Sequence, residues 1–163
     1  MSETDRLLQN ARAHAEGFTG SDLEAAPSKR VAVLTCMDAR IIPTRILGLD
    51  EGEAHVLRNA GGVVTDDAVR SLALSQHLLG TEEIVLIHHT DCGLLQITDE
   101  EFAARLEEAS GQRPAWSAEA FTDPEQNVRD SISRLRESPF IPRKDSIRGF
   151  VYDVKTGALR EVG

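Results

Sequence analysis

The apolar positions of this chain change their period several times, and each change marks an element. Residues 4–16 place Leu7, Leu8, Ala11 and Ala15 at helical spacing. Gly17, Gly20, Ser21 and Pro27 then indicate a loop. At Val31 the pattern becomes a continuous run, Val31-Ala-Val-Leu-Thr35, as expected of a strand buried on both faces. Pro43 suits the first turn of a short helix ending near Gly48. A second strand, Ala54-His-Val-Leu-Arg58, runs into Asn59-Ala-Gly61-Gly62, where paired glycines indicate tight turning or a close backbone approach to a ligand. Thr65 or Asp66 can cap the next helix, with Val69, Leu72, Ala73 and Leu79 facing the core and Gly80 ending it. A strand follows at 84–88, then a helix over 98–109. An ordered loop over 110–124 surrounds Trp116, and a further helix spans 125–137. The last strand, Ile147 to Val154, turns at Lys155-Thr-Gly157 and returns through Leu159 to Val162.

Strands alternating with helices, with crossovers of a dozen residues or more, predict an α/β fold. The expected architecture is a mostly parallel sheet flanked by helices, with an antiparallel C-terminal edge and an N-terminal helical arm. Residues 1–163 are expected to form one domain, of which 1–20 are the arm. Its leucine stripe needs a surface to cover, either its own sheet or a partner subunit.

Charge and hydropathy narrow the function classes. With 27 acidic and 18 basic residues the formal charge is -9, which argues against a nucleic-acid partner. No apolar run approaches a membrane span, and the first ten residues lack a signal-peptide core. A cytoplasmic location is the default expectation. In a reducing compartment a disulfide between the two cysteines is disfavoured.

Those cysteines fall at two strand ends. The first strand closes on Cys36-Met-Asp38-Ala-Arg40, and the third on His88-His89-Thr-Asp-Cys92-Gly93. Open α/β sheets place their sites at such C-terminal ends. Zinc takes thiolate and imidazole ligands, and three protein ligands plus an open position is its catalytic pattern. Cys36, His89 and Cys92 meet that description. His88 and His89 point to opposite faces of extended backbone. His89 is favoured because it leaves the strand three residues before Cys92, which leaves His88 as a core histidine or as a support to the ligands. His14, His55 and His77 stand alone and read as structural or surface residues. Two thiolates and a neutral imidazole cancel the charge of zinc, so neighbouring groups must help activate water. Asp38 and Arg40, two residues apart on one side of extended backbone, are the nearest such groups.

These residues resemble the β-class carbonic anhydrases. C-x-D-x-R is Cys36-Met-Asp38-Ala-Arg40, R-N-A-G is Arg58-Asn-Ala-Gly61, and H-x-x-C-G is His89-Thr-Asp-Cys92-Gly93. The resemblance covers about residues 30–95, more weakly the final strand, and is similar to small actinobacterial members. It implies zinc held by Cys36, His89 and Cys92, and a catalytic dyad of Asp38 and Arg40. The implied reaction is reversible hydration of carbon dioxide to bicarbonate by zinc-bound hydroxide. It further implies a homodimer or dimer of dimers, the N-terminal helix lying on the partner, and an apolar cleft to which Gly61, Gly62 and Val63 contribute. Carbonyl sulfide hydrolysis on the same zinc site is the alternative, and a non-catalytic zinc-stabilised domain a second. The chain departs from the pattern at Ala39, where C-S-D-S-R has its second serine. It departs again at Val33, where members with a regulatory bicarbonate pocket carry tryptophan. No residue matches the glutamine that assists substrate in plant-like members.

Overall fold

A computed structural model describes residues 1–163. The all-apolar run forms β1 (Val31–Cys36), flanked in parallel by β2 (Ala54–Asn59) and β3 (Glu83–His89). Beyond β3 lies β4 (Ile147–Tyr152), also parallel, and β5 (Leu159–Glu161) closes the edge antiparallel, giving the order β2-β1-β3-β4-β5. The chain moves from β1 out to β2 and then crosses back to β3 on the other side. The strand order therefore reverses between β1 and β3, the crevice where open α/β sheets bind ligands.

Helices fill the crossovers: α2 (Pro43–Leu47), α3 (Asp66–Leu79), α4 (Asp99–Ser110) and α5 (Pro124–Glu137). Their ends are chemically marked. Thr65 accepts from the Ala68 amide at the start of α3, and Asp123 accepts from the Glu125 and Gln126 amides at the start of α5. Thr98 and Glu101 form a reciprocal capping box on α4. Ala32, Leu34, Ile84, Leu86 and Ile147 share one sheet face and pack against Leu72 of α3 and Val128, Ile132 and Leu135 of α5. On the opposite face Val33, Thr35 and Ile87 are fully buried too, which is why β1 shows no alternation.

Several boundaries differ from the periodicity by a residue or two, the C-terminal ends of β3 and β4 among them. β3 runs one residue further, so His89 is still strand. β4 stops at Tyr152 because the Asp153 carboxylate accepts from the amides of Lys155 and Thr156, starting the turn two residues early.

The arm settles one open choice. α1 (Glu3–Glu16) begins with a Ser2–Asp5 capping box, yet none of its residues is buried. Leu7 is 65% exposed and Leu8 53%. The arm does not cover its own sheet.

Candidate metal centre

The site is built where β1 and β3 end side by side. Cys36 is the last residue of β1 and His89 the last of β3. Cys92 follows one tight turn later, at the entrance to a 3-10 turn over Gly93–Gln96. All three are buried, and their ligand atoms lie within 4.8 Å of one another. The His89 ring is oriented by its neighbour: Nδ1 donates to the Thr90 carbonyl at 2.8 Å. That bond makes Nε2 the lone-pair nitrogen. Nε2 is buried and has no hydrogen-bond partner, an orphaned acceptor beside two sulfurs. Buried polar atoms in native proteins are almost always satisfied. A metal ion among these three donors would satisfy this one.

The sulfurs carry the same message. The neighbouring Cys92 thiol holds Cys36 well below the usual thiol range, against the opposing effect of burial. The Cys36 thiolate and burial push Cys92 well above it. Only one of the pair ionises easily, and a divalent cation is what allows both to do so together. For His89, burial favours the neutral ring. The Cys36 sulfur, the Thr90 carbonyl and the Asp38 charge outweigh it and raise the imidazole above its ordinary value. The donor set fits zinc in kind and number.

Asp38 and Arg40 lie directly beside the donors. Arg40 grips the carboxylate with Nε on Oδ1 at 3.0 Å and Nη2 on Oδ2 at 2.8 Å, a two-pronged pair. The Arg40 amide adds a third bond to Oδ1 at 2.9 Å. These bonds, the side-chain ones foremost, hold Asp38 far below the usual carboxylate range. Oδ2 is 3.9 Å from His89 Nε2, so the carboxylate borders the donor triangle while facing the guanidinium.

Three supporting residues had no assigned role in the linear motifs. Arg58 donates from Nε to the Cys36 carbonyl at 3.0 Å and from Nη2 to the Asp38 carbonyl at 2.8 Å. It clamps the backbone of the loop that carries both side chains. Asp91 binds Arg40 from the other loop. Asn59 pairs with Cys36 in the sheet and accepts the Met37 amide on its carbonyl. Their signal in sequence was faint: a polar or charged residue within one of the short motifs. His88 is fully buried on the face opposite His89, with Nε2 2.7 Å from Asn127 Oδ1 and its ring against Phe121. Of the isolated histidines, His55 bonds Ser75 and the Ala25 carbonyl, and His77 the Phe140 carbonyl. None approaches the centre.

A cavity of about 690 Å³ opens onto Cys36, Asp38 and Cys92. Its apolar wall includes Val63, Leu94, Ile97, Phe102 and Trp116, the last two from α4 and the loop after it. Gly61 and Val63 stand on this wall. Gly62 does not. Its backbone presses against β1 instead: at φ +69°, a Cβ there would lie 2.8 Å from the Cys36 nitrogen and the Thr35 carbonyl carbon. The glycine lets the turn after β2 close under the first ligand.

Fold and donor set define an α/β protein whose switch-point crevice holds a Cys-His-Cys cluster beside an Asp–Arg pair. The carbonic anhydrase family model matches residues 31–159. Beta-carbonic anhydrase 1 of Mycobacterium tuberculosis (strain ATCC 25618 / H37Rv) is 52% identical over 99% of both chains. The crystal structure of carbonic anhydrase from Streptococcus mutans superposes with a TM-score of 0.94 at 44% identity, covering 100% of this chain and 99% of that one. More distantly, a carbon disulfide hydrolase of Acidianus sp. (strain A1-3) is 35% identical over 98% of this chain and 87% of its own. The chain belongs to the β-class carbonic anhydrases.

Proposed function

We propose that the protein catalyses the reversible hydration of carbon dioxide to bicarbonate and a proton, with one zinc ion per chain held by Cys36, His89 and Cys92. The observation that carries this reading is the buried, unpartnered His89 Nε2 among two sulfurs at the foot of an apolar cavity. Zinc bound there supplies a Lewis acid that acidifies water enough to make it a nucleophile near neutral pH. The chain's own residues do the rest. Asp38, kept ionised by Arg40, accepts a hydrogen bond from the attacking water and so aims its lone pair. Arg40 holds the carboxylate toward itself. The wall of Val63, Leu94 and Ile97 suits a small apolar substrate and excludes bulk water. The test is a stopped-flow carbon dioxide hydration assay on protein whose zinc content is measured in the same sample.

Carbonyl sulfide is nearly isosteric with carbon dioxide, and the carbon disulfide hydrolase relative gives sulfur-containing substrates a place as the second reading. The same assay with carbonyl sulfide ranks the two. A closed, purely structural zinc site is disfavoured, because Asp38 faces Arg40 rather than serving as a fourth donor.

The assembly we infer is a homodimer, with α1 of each protomer lying on the other. Support comes from a well-capped 14-residue helix with no buried side chain and two exposed leucines. An isolated helix of this length is marginal in water without a packing surface. Deleting residues 1–20 is expected to convert dimer to monomer in sedimentation velocity. An unchanged dimer after the deletion would contradict it. No helix is long and apolar enough to cross a membrane. The cytoplasm is the location we propose.

A further inference from the structure

The Asp38–Arg40 pair has a third member. Arg40 Nη1 donates to Asp91 Oδ2 at 2.8 Å, and Nη2 donates to the Asp91 carbonyl at 2.9 Å. Asp91 sits in the turn between His89 and Cys92 and has a left-handed backbone, φ +55°. Non-glycine residues adopt that conformation at a cost and are found where surrounding structure enforces it. Here the conformation is accompanied by a specific arrangement: one residue offers both its carbonyl and its carboxylate to one guanidinium. Arg40 is thereby held from two sides, by Asp38 of its own loop and by Asp91 of the loop that carries Cys92. Its four hydrogen bonds to these two side chains and one carbonyl join the ends of β1 and β3 across the donor cluster.

We propose that Asp91 is a positioning residue for the site, acting through Arg40. It fixes the guanidinium in one orientation and so fixes the carboxylate of Asp38. It also ties the Cys36 loop to the Cys92 loop, so that the metal donors keep their spacing. The catalytic part of this inference rests on the carbonic anhydrase reading, whereas the tie between the loops does not. Asp91 and Arg40 are both substantially exposed, with side chains 58% and 45% accessible. An exposed ion pair contributes little to global stability. Its effect belongs in geometry, and that separates this role from a merely structural one.

Asp91→Gly and Asp91→Asn make the test. Glycine adopts the left-handed turn more readily than aspartate but offers no side-chain acceptor. Asparagine tolerates the same turn and keeps an oxygen for Nη1. For Asp91→Gly the expected result is a kcat lowered about 10–100-fold, the usual cost of losing an outer hydrogen-bond partner at a metal site. KM should be little changed and the melting temperature not lowered. Zinc release to a chelator should accelerate by a similar factor, and Asp91→Asn should fall between glycine and wild type in both measures. In an Arg40→Ala background, Asp91→Gly should cause no further change in zinc release. Wild-type kcat and zinc-release rate in Asp91→Gly would overturn the proposal. So would an undiminished effect of Asp91→Gly in the absence of Arg40. If zinc-loaded wild type fails to hydrate carbon dioxide, the functional reading falls, yet the zinc-release rates still decide the part of Asp91.

Discussion

Cys92→Ala protein is expected to purify folded but without stoichiometric zinc, and to lose carbon dioxide hydration by more than the roughly 10–100-fold that loss of an outer hydrogen-bond partner costs. Removing one of three donors leaves a two-ligand site, and metal affinity depends on every deprotonated ligand held in place. Cys92 is the most informative of the three. It is 2% exposed and belongs to the turn after β3, while Cys36 and His89 end strands that the sheet holds independently. Its loss should leave the hydrophobic core, which is centred on Leu34, Leu72 and Leu86, unaltered. The remaining thiol changes as well. Cys36 is held low chiefly by the Cys92 thiol, so in the variant its pKa should rise toward the ordinary thiol range. Zinc analysis and thiol titration against pH would both report the change. Full zinc retention with unchanged Cys36 reactivity would remove Cys92 from the site.

The second large effect is expected at the Asp–Arg pair. Asp38→Ala should keep zinc, because Asp38 faces Arg40 and is not among the gathered donors. It should lower kcat by about 10²–10⁴-fold, the range for a positioned proton-handling group. Arg40→Ala should also lower kcat, for a different reason: the guanidinium no longer draws the carboxylate away from the donor triangle, where Oδ2 lies 3.9 Å from His89 Nε2, and only the residue-40 amide still holds it. The pH dependence separates this pair from other titrating groups. The pKa of Asp38 in the folded protein lies below its unfolded value near 3.9, the hydrogen bonds from the Arg40 side chain being the main cause. Its contribution to stability is complete above that unfolded value and is lost only as pH falls toward the folded one. Between about pH 5 and 9 Asp38 therefore stays ionised, and any rise of rate with pH there has another origin. A wild-type rate limb above pH 5 that vanishes in Asp38→Ala while zinc is retained would contradict the assignment.

Much of this molecule was legible in its linear pattern. β1 and β3 announced themselves as unbroken apolar runs because both faces of each are covered, and Cys36 and His89 fall at their last positions. Gly48 and Gly80 mark the ends of α2 and α3 in left-handed conformations, as glycine after a helical pattern suggests. What periodicity could not supply was the direction of side chains in turns. Gly61 and Gly62 read alike in sequence, yet the former borders the cavity and the latter packs under Cys36. Phe102 and Trp116 are far from the ligand motifs along the chain, and only the crossover from β3 to β4 brings them to the cavity mouth. Arg58 shows a different limit. The resemblance placed it in the R-N-A-G motif, yet no pattern indicated that its guanidinium holds the carbonyls of Cys36 and Asp38. Long side chains that bridge two loops depend on three-dimensional distance, and a one-dimensional motif does not carry it. The leucine stripe of α1 was visible, whereas its exposure within one chain was not.

The measurement closest to the central claim is the initial rate of carbon dioxide hydration, followed by stopped flow on protein carrying a measured amount of zinc. The account predicts a rate proportional to zinc content up to one ion per chain, abolished by chelation and restored by zinc. Carbon dioxide should be preferred over carbonyl sulfide in side-by-side kcat/KM values. Fully zinc-loaded protein that hydrates carbon dioxide no faster than buffer would contradict it.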